Sequence, residues 1–491
     1  MNEVKASRFL GAGCGAFLSG LLAALLALAA PPAQAGNVVN ALTTPWNDPL
    51  LARPPVLDTG KVLPGDTASL PCPPSGVEFN PLTLVQAVDV ALCHNPQVQG
   101  AWAAIKVQAA AVGEARAAYL PTATLSASRM DDRTWYPGAN QASTTLRGNT
   151  VYGNLSWRLF DFGARQANQR SAGALLGAAL ANHDAVLQQT LADVISAYFD
   201  AQTAQATRVA RQKNEALTRQ TLEAAQRRES RGAGSQTDIL QATTALAKAN
   251  LDKSRAQGAY QKALSVLIYA LGVPATTQLS LAEDLMDPTD GLRQDLNAWL
   301  EQAQARHPAI VAARAQLAAA QAKVTATRTE GLPTLDFTGG FYQNGRPNQG
   351  LPTIRTRETL VGVTLTIPLF DGFARTYRVR GAQAQVEQKE AALQDTAHRV
   401  LMEAVKAHAD AMAALENLEA SHSLLAAAQA ALSSVQRKFD KGAADILEIL
   451  STQTALSDAQ QERIRCLAEW RSARLRLLAA VGSLGRHGIS P

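Results

Sequence analysis

The 491-residue sequence predicts a mainly α-helical fold that contains two β-hairpins and consists of two similar halves. Three observations support this prediction. The stretch Leu-Phe-Asp-Phe-Gly-Ala-Arg at 159–165 returns as Leu-Phe-Asp-Gly-Phe-Ala-Arg at 369–375, which is 210 residues later. Each copy follows a short segment in which apolar and polar residues alternate, as in a β-strand with one apolar face. Each copy also precedes a long proline-free segment rich in Ala, Gln and Leu, a composition that favours long helices and coiled coils.

Other landmarks recur in the same order. Gln-Arg-Arg-Glu-Ser-Arg-Gly at 226–232 returns as Gln-Arg-Lys-Phe-Asp-Lys-Gly at 436–442, again 210 residues later. Asn-Pro at 95–96 and Leu-Pro at 120–121 return as His-Pro and Leu-Pro, each 212 residues later. Because order and offset are both kept over this length, we predict a duplicated structural unit rather than a short solenoid repeat.

The N-terminus has the features of a cleaved secretory signal. Lys5 and Arg8 precede a long apolar run, and Ala-Gln-Ala at 33–35 is a small-x-small cleavage site. We therefore expect residues 1–35 to be a signal peptide; an uncleaved membrane anchor is the alternative. Gly36 would begin the mature chain, so that position offers no cysteine to carry a lipid.

The residues after the signal peptide suggest an extended segment that a disulfide ties down. Residues 36–81 are rich in proline and show little periodicity, which predicts an extended N-terminal segment. Cys72 and Cys93 are predicted to form a disulfide, because an exported chain enters an oxidising compartment. Cys466 lies in a helical stretch and is expected to be a small buried apolar residue.

The first repeat is predicted to span residues 82–275. It begins with a helix from Thr83 to Tyr119, either continuous or broken at Asn95-Pro96, which the Leu-Pro pair ends. A hairpin at 122–160 follows. Two long antiparallel helices follow, at about 163–231 and 236–271. A Gly-Ala-Gly turn between them predicts a tip near 231–234, since glycine suits the left-handed conformation that often ends a helix.

The second repeat, predicted at 290–481, has the same layout. A helix is expected over about 294–330, followed by a hairpin at 334–369. Another pair of long helices is expected to turn at a tip near 441–444, and residues 482–491 predict a flexible tail.

The hairpins are candidates for membrane strands. After the signal peptide, no stretch approaches the ~20 apolar residues of a spanning helix, so any membrane-embedded part must be a closed β-structure. The alternating segments are close to the ~9–11 residues that cross a bilayer in a barrel, and the polar stretch 131–149 predicts a loop. Four strands cannot close a barrel. Either the hairpins lie outside the membrane, or several chains pool their strands; three chains would supply twelve.

The sequence predicts no catalytic, cofactor or metal site. Its histidines are scattered without metal-ligand spacing, and it has neither a phosphate-binding glycine loop nor a nucleophile elbow. This argues against an exported hydrolase. The net charge of +5 is spread along amphipathic stretches rather than massed on one face, which argues against nucleic-acid binding.

Over the whole mature chain, the sequence resembles the TolC family of outer-membrane channel-tunnels, including its secretion members. The motifs are Leu-Thr-Leu at 82–84 with Ala87, Tyr-Leu-Pro at 119–121, both Leu-Phe-Asp motifs, and Lys-Phe-Asp-Lys-Gly at 438–442, which matches the family's second tip turn. The resemblance implies a homotrimer in which four strands per chain form a twelve-stranded β-barrel in the outer membrane. It also implies that this barrel is continuous with a long α-helical coiled-coil barrel in the periplasm.

The same resemblance implies a passive exit duct for type I protein secretion or multidrug efflux. The implied partners are a periplasmic adaptor, an inner-membrane ABC or proton-driven transporter, and outer-membrane lipid. An exported structural coiled-coil protein without a channel is the alternative, although it does not explain alternating strands at equivalent places in both halves.

The two tips hold the candidate functional residues. They are Arg227, Arg228, Arg231, Gly232 and Asp238 in the first tip, and Arg437, Lys438, Lys441 and Gly442 in the second. One interpretation is helix capping, because cations suit the last turn of a helix and acids the first turn of the next. The other is adaptor docking, in which the apolar pairs at 239–240 and 449–450 would pack against partner helices.

The family resemblance also implies a periplasmic aperture just past the second tip, where acids line the closed entrance. Glu448 matches the first such position, Ser451 replaces the acid at the second, and Asp445 is an additional acid nearby. Ala444 stands where some members carry a basic residue that helps to hold the entrance shut.

Overall fold

The computed structural model describes residues 81–138, 143–282, 295–343 and 356–484. The predicted signal peptide, all but the last residue of the predicted N-terminal segment, Cys72, and most of the predicted tail lie outside these residues. Within them, six elements follow one another in an order that then repeats. The fold is mainly helical with a small antiparallel sheet, as predicted.

The matching helices of the two halves have closely similar lengths, whereas the two strands of the first half are longer than those of the second. The first half contains α1 (Leu84–His94), α2 (Pro96–Ala117), β1 (Thr122–Thr134), β2 (Thr144–Phe160), α3 (Ala164–Glu229) and α4 (Gln236–Leu271). The second half contains α5 (Leu296–Arg306), α6 (Pro308–Thr329), β3 (Thr334–Gln343), β4 (Arg357–Thr366), α7 (Ala374–Asp440) and α8 (Ile446–Ala480). The long helices α3 and α7 have 66 and 67 residues, and their return helices α4 and α8 have 36 and 35.

Prolines divide the first helix of each half. Asn95 has extended backbone angles before Pro96 and separates α1 from α2. The sequence predicts one helix over 294–330, and this is wrong: His307 is extended in the same way before Pro308, so α5 and α6 are separate helices. The residue before a proline is disfavoured in the helical region, whereas proline itself fits the first position of a new helix.

The strands form one antiparallel sheet in the order β1-β2-β3-β4. The pairing of β2 with β3 joins the two halves. Within the polar stretch 131–149, predicted to be a loop, residues 131–134 and 144–149 belong to β1 and β2, whose pairing continues to Thr134 opposite Thr144. An ion pair between Arg147 and Asp131 (2.9 Å) crosses the two strands there. Backbone hydrogen bonds extend the strands without requiring alternating side chains.

Alternation gives the sheet one apolar and one polar face. The exposed side chains of the apolar face include Leu125, Phe341, Val361, Val363 and Leu365. On the opposite face, Tyr152 stacks on Tyr342 with ring centroids 6.1 Å apart, and Arg158 forms an ion pair with Asp336 at 2.9 Å. The strands lie in one compact unit (Ala109–Arg165 and Pro333–Ile367), and most of the helical residues lie in the other.

The repeated seven-residue motif forms the strand-to-helix turn of each half. In the first turn, the Asp161 carboxylate accepts hydrogen bonds from Arg165 N and Nε, and the Arg165 guanidinium donates to the carbonyl of Arg158 at 2.7 Å. In the second, the Asp371 carboxylate accepts from Arg375 N at 2.8 Å, and the Arg375 guanidinium donates to a nearby carbonyl. In both halves the Asp of the motif caps the helix and the Arg donates hydrogen bonds to backbone carbonyls of the turn, which explains why both residues recur.

The helices pack around two buried clusters. The first surrounds Tyr198 on α3 and includes Leu84 of α1 and Leu267 of α4. The second contains Trp299 of α5 and Ala404 of α7. Because both clusters also contain residues of α8, this helix connects the two halves of the helical core. In the described part of the chain, no helix combines the length and apolarity needed to span a membrane.

The described cysteines are in different states. Cys466 is free and buried, as expected of a small apolar residue. Cys93 is disulfide-bonded. Its partner lies outside the described residues, so the pairing of Cys93 with Cys72 remains a prediction.

Candidate functional site

The first tip is a tight helix-to-helix turn. Gly232 has φ +72° and follows the end of α3. The amide of Ala233 donates to the carbonyl of Arg228 at 2.9 Å, and that of Gly232 donates to Glu229 at 2.8 Å. This is the Schellman pattern that closes a helix around a left-handed glycine. Glycine is needed at this position because a Cβ destabilises the left-handed conformation.

The second tip has the same backbone geometry. Gly442 has φ +76°, and the amide of Ala443 donates to the carbonyl of Lys438 at 2.8 Å. The two tips are therefore structural equivalents, as their aligned glycines indicate.

Helix capping accounts for two of the predicted acids. At the first tip, Ser235 and Asp238 form a capping box: the Ser235 amide donates to the Asp238 carboxylate at 3.0 Å, and the Asp238 amide donates to the Ser235 hydroxyl at 3.2 Å. At the second tip, the Asp445 carboxylate caps α8 by accepting from the Glu448 amide at 2.7 Å. Glu448 is equivalent to Asp238 by position, but its exposed carboxylate does not cap the helix.

The remaining predicted residues are mostly exposed. The following tip and aperture residues are exposed to solvent: Arg227, Arg231, Gly232, Arg437, Lys438, Lys441, Gly442, Glu448 and Ser451. Arg227 lies 3.9 Å from Glu223 one turn earlier. The Ser451 hydroxyl donates to the Glu448 carbonyl at 3.0 Å, so this position of the proposed aperture contributes a satisfied hydroxyl rather than an acid.

A buried cluster, here called the tip core, holds the two tips of one chain together. Its members are Ala225, Ala242, Phe439, Ala444, Ile446 and Ile449. Ile449 is fully buried in it and presents no free apolar surface, contrary to the sequence-based expectation, and Ile239 is partly buried against it. Leu240 is 62% exposed and remains available to a partner.

A cleft of about 300 Å³ opens beside the tip core. Its walls include Arg228, Asp238, Phe439 and Asp445. The Arg228 guanidinium lies over the Phe439 ring, 4.9 Å from its centroid. Sequence reasoning identified Arg228 only as one of several tip cations, because the ring that holds it belongs to a residue 211 positions away.

Farther from the tips, an ion-pair group joins α3 to its return helix. The Glu215 carboxylate accepts a hydrogen bond from Arg219 and lies 3.5 Å from Lys253 of α4. The hydrogen bond from Arg219 is the main cause that lowers the pKa of Glu215.

Known proteins share both the sequence and the fold. The family model for the outer membrane efflux protein matches residues 87–273 and 299–483. Protein CyaE of Bordetella pertussis is 39% identical over 440 residues, which cover 89% of this chain and 91% of that protein. Alkaline protease secretion protein AprF of Pseudomonas aeruginosa is 25% identical over 418 residues, covering 82% and 85%.

A solved structure agrees with the fold. The Campylobacter jejuni CmeC outer membrane channel superposes with a TM-score of 0.72 at 16% identity, covering 82% of this chain and 86% of that one. The two stretches matched by the family model start 212 residues apart and end 210 residues apart, the offsets of the repeated landmarks. The alternative of a structural coiled-coil protein has no support in these similarities. The chain belongs to the outer membrane efflux protein family and is an export channel of the outer membrane.

Proposed function

We propose that this chain forms a homotrimeric exit duct for type I protein secretion, which a periplasmic adaptor and an inner-membrane transporter engage at the tips. Protein cargo is favoured by the similarity to a relative named for alkaline protease secretion. Small-molecule efflux is the second candidate, which the family description itself suggests.

The main observation in favour of a trimer is the sheet, which has one apolar and one polar face. Its apolar face leaves large side chains uncovered: Leu125 and Val361 are 79% and 69% exposed. A lipid surface would cover such a face, and the polar face would line a water-filled interior. The outer edges of β1 and β4 carry no strand within the described residues. Since an open edge cannot remain in lipid, pairing β4 of one chain with β1 of the next would close twelve strands.

The helices support a periplasmic duct. With 66 residues at a rise of ~1.5 Å each, α3 is about 100 Å long. Helices of this length need neighbours along their whole extent, and copies of the chain would supply them.

The tips support adaptor docking. Arg231 and Lys441 are exposed on equivalent turns, where a partner could reach both cations. Reversing both charges (Arg231→Glu with Lys441→Glu) should abolish export while trimers still assemble in the outer membrane. Reversing two exposed cations on α4 away from the tips, Arg255 and Lys262, is the matched control and should preserve export. Normal export by the tip variant would exclude docking through these cations.

A further inference from the structure

The apolar face of the sheet ends in a group of arginines. Along β4, the residues on this face are uncharged from Leu365 to Thr359, and along β1 they are uncharged from Ala123 to Ala127. Farther from the strand-to-helix turns, the same face carries four exposed arginines, here called the arginine patch: Arg129, Arg133, Arg147 and Arg357. The patch therefore lies at the end of the sheet opposite the helices in the chain's connectivity.

The strand register places the patch on the apolar face, since side chains two residues apart point to the same side of a sheet. On β1, every second residue from Leu125 to Arg133 lies on this side, and Arg147 of β2 is paired with one of them, Asp131. On β4, Arg357 lies four residues from Val361 and therefore on the same side. The four arginines and the apolar side chains thus share one surface.

The patch begins where the edge of the hydrocarbon is expected. Successive residues of one face are ~6.8 Å apart along a strand, or ~5 Å along the bilayer normal when the strand is tilted by ~40°. Leu365 and Arg357 are eight residues, or four such steps, apart on β4, which corresponds to ~20 Å. This height is close to the ~25 Å apolar band of a transmembrane barrel, so Arg357 would lie at the level of the lipid headgroups.

Charge on this face is mostly of one sign. Of the five charged residues described there, only Asp131 is acidic, and its carboxylate pairs with Arg147 at 2.9 Å. The other three arginines form no ion pair with any residue that the structure describes. Four positive and one negative side chain leave +3 on each chain. On the opposite face of β4, the neighbouring charged residue is the acidic Glu358, so the cations are concentrated on the side assigned to lipid.

We propose that the arginine patch binds the phosphate groups of lipopolysaccharide, the phosphorylated glycolipid of the outer leaflet. A guanidinium presents two parallel N–H groups that match the oxygens of a phosphate. Cations beside an anionic lipid surface add to membrane binding one by one. The inference rests on the proposed contact of the apolar face with lipid, and it adds a specific headgroup to that contact.

The test titrates the detergent-solubilised trimer with lipid A, the phosphorylated anchor of lipopolysaccharide, and with lipid A from which the phosphates have been removed. The parent should bind the phosphorylated lipid at least ~30-fold more tightly. Replacing Arg129, Arg133 and Arg357 together by serine should raise its Kd about 100-fold, or ~5-fold for each arginine. Arg147 is kept, because its ion pair with Asp131 joins two strands.

Two further variants separate charge at this site from charge in general. Replacing the same three arginines by lysine keeps the charge without the planar fork, so this variant should bind lipid A more tightly than the serine variant. Replacing three exposed cations of α4 by serine removes equal charge elsewhere and should change the Kd less than ~3-fold; these are Lys248, Arg255 and Lys262. If the triple serine variant does not assemble, Arg129→Ser alone should raise the Kd ~5-fold.

The proposal is overturned if the serine variant binds lipid A within ~3-fold of the parent, or if the parent binds both lipids equally. Insertion of the parent into phosphatidylcholine vesicles tests the lipid contact separately. If the parent inserts but the binding results fail, the apolar face contacts lipid without recognising a phosphorylated headgroup. If the parent does not insert, the proposed lipid contact and this inference are both wrong.

Discussion

A lysine placed on one face of β4 should have a very different effect from a lysine placed on the other. Val363 lies on the apolar face opposite Phe337, and Thr364 lies on the polar face opposite Asp336. Both side chains are exposed, and Val363 is 59% exposed. If the sheet faced water on both sides, lysine at either position would be nearly neutral, because surface substitutions usually change stability by less than ~0.5 kcal/mol.

If the apolar face contacts lipid, Val363→Lys carries a large cost. A lysine on the lipid face near the bilayer midplane costs about 2–4 kcal/mol, and a trimer bears it three times, or about 6–12 kcal/mol. Thr364→Lys would face the water-filled interior and should assemble normally. The assay compares the fraction of each variant recovered from outer-membrane preparations as an intact oligomer. Equal recovery of the two variants, at the level of the parent chain, would refute the assignment of the faces.

Three further predictions concern the tips and the helical core. Gly232→Ala should lower the stability of the solubilised channel by about 1–2 kcal/mol, because it forces a Cβ into the left-handed region. The control Gly100→Ala, in a helix with open space around it, should not destabilise the channel. Thermal melts of the two variants test this difference. Ile449→Ala should lower the free energy of unfolding by about 2–5 kcal/mol, because it opens a cavity in the tip core. Proteolysis should then cut the chain first at the tips. A digestion pattern unchanged from the parent would argue against the tip core. Burial lowers the pKa of His307, whose neutral Nδ1 accepts from the Ala309 amide at the start of α6. The unfolded state therefore takes up a proton first as pH falls below about 6.5, so the melting temperature should fall between about pH 7.5 and 5.5. His307→Asn should flatten that dependence, and a parent melting temperature that does not fall with pH would contradict the assignment.

Local signals in the sequence were sufficient for much of the fold. The long helices end within about two residues of the predicted positions, because glycine at 232 and 442 and capping residues at 235 and 445 act on the backbone directly. The repeated Leu-Phe-Asp motif marks the same turn in both halves, and the structure adds the reason: its Asp caps the helix and the following Arg donates to backbone carbonyls of the turn.

Non-local contacts could not be predicted in the same way. The strand character of the polar residues 131–134 and 144–149 depends on pairing across the hairpin, which the side-chain pattern does not encode. Burial of Ile449 and the contact of Arg228 with Phe439 depend on how two turns far apart in sequence meet. For the same reason, the sequence could not separate capping from docking: both use acids and cations at helix ends, and only the hydrogen-bond partners distinguish them.

Single-channel recording tests the central claim most directly. The purified protein, reconstituted into a planar lipid bilayer, should produce discrete steps of ionic current, because three chains are proposed to enclose one continuous water-filled path. A membrane that stays sealed at every applied voltage, with the protein shown to be inserted as an intact oligomer, would contradict the account.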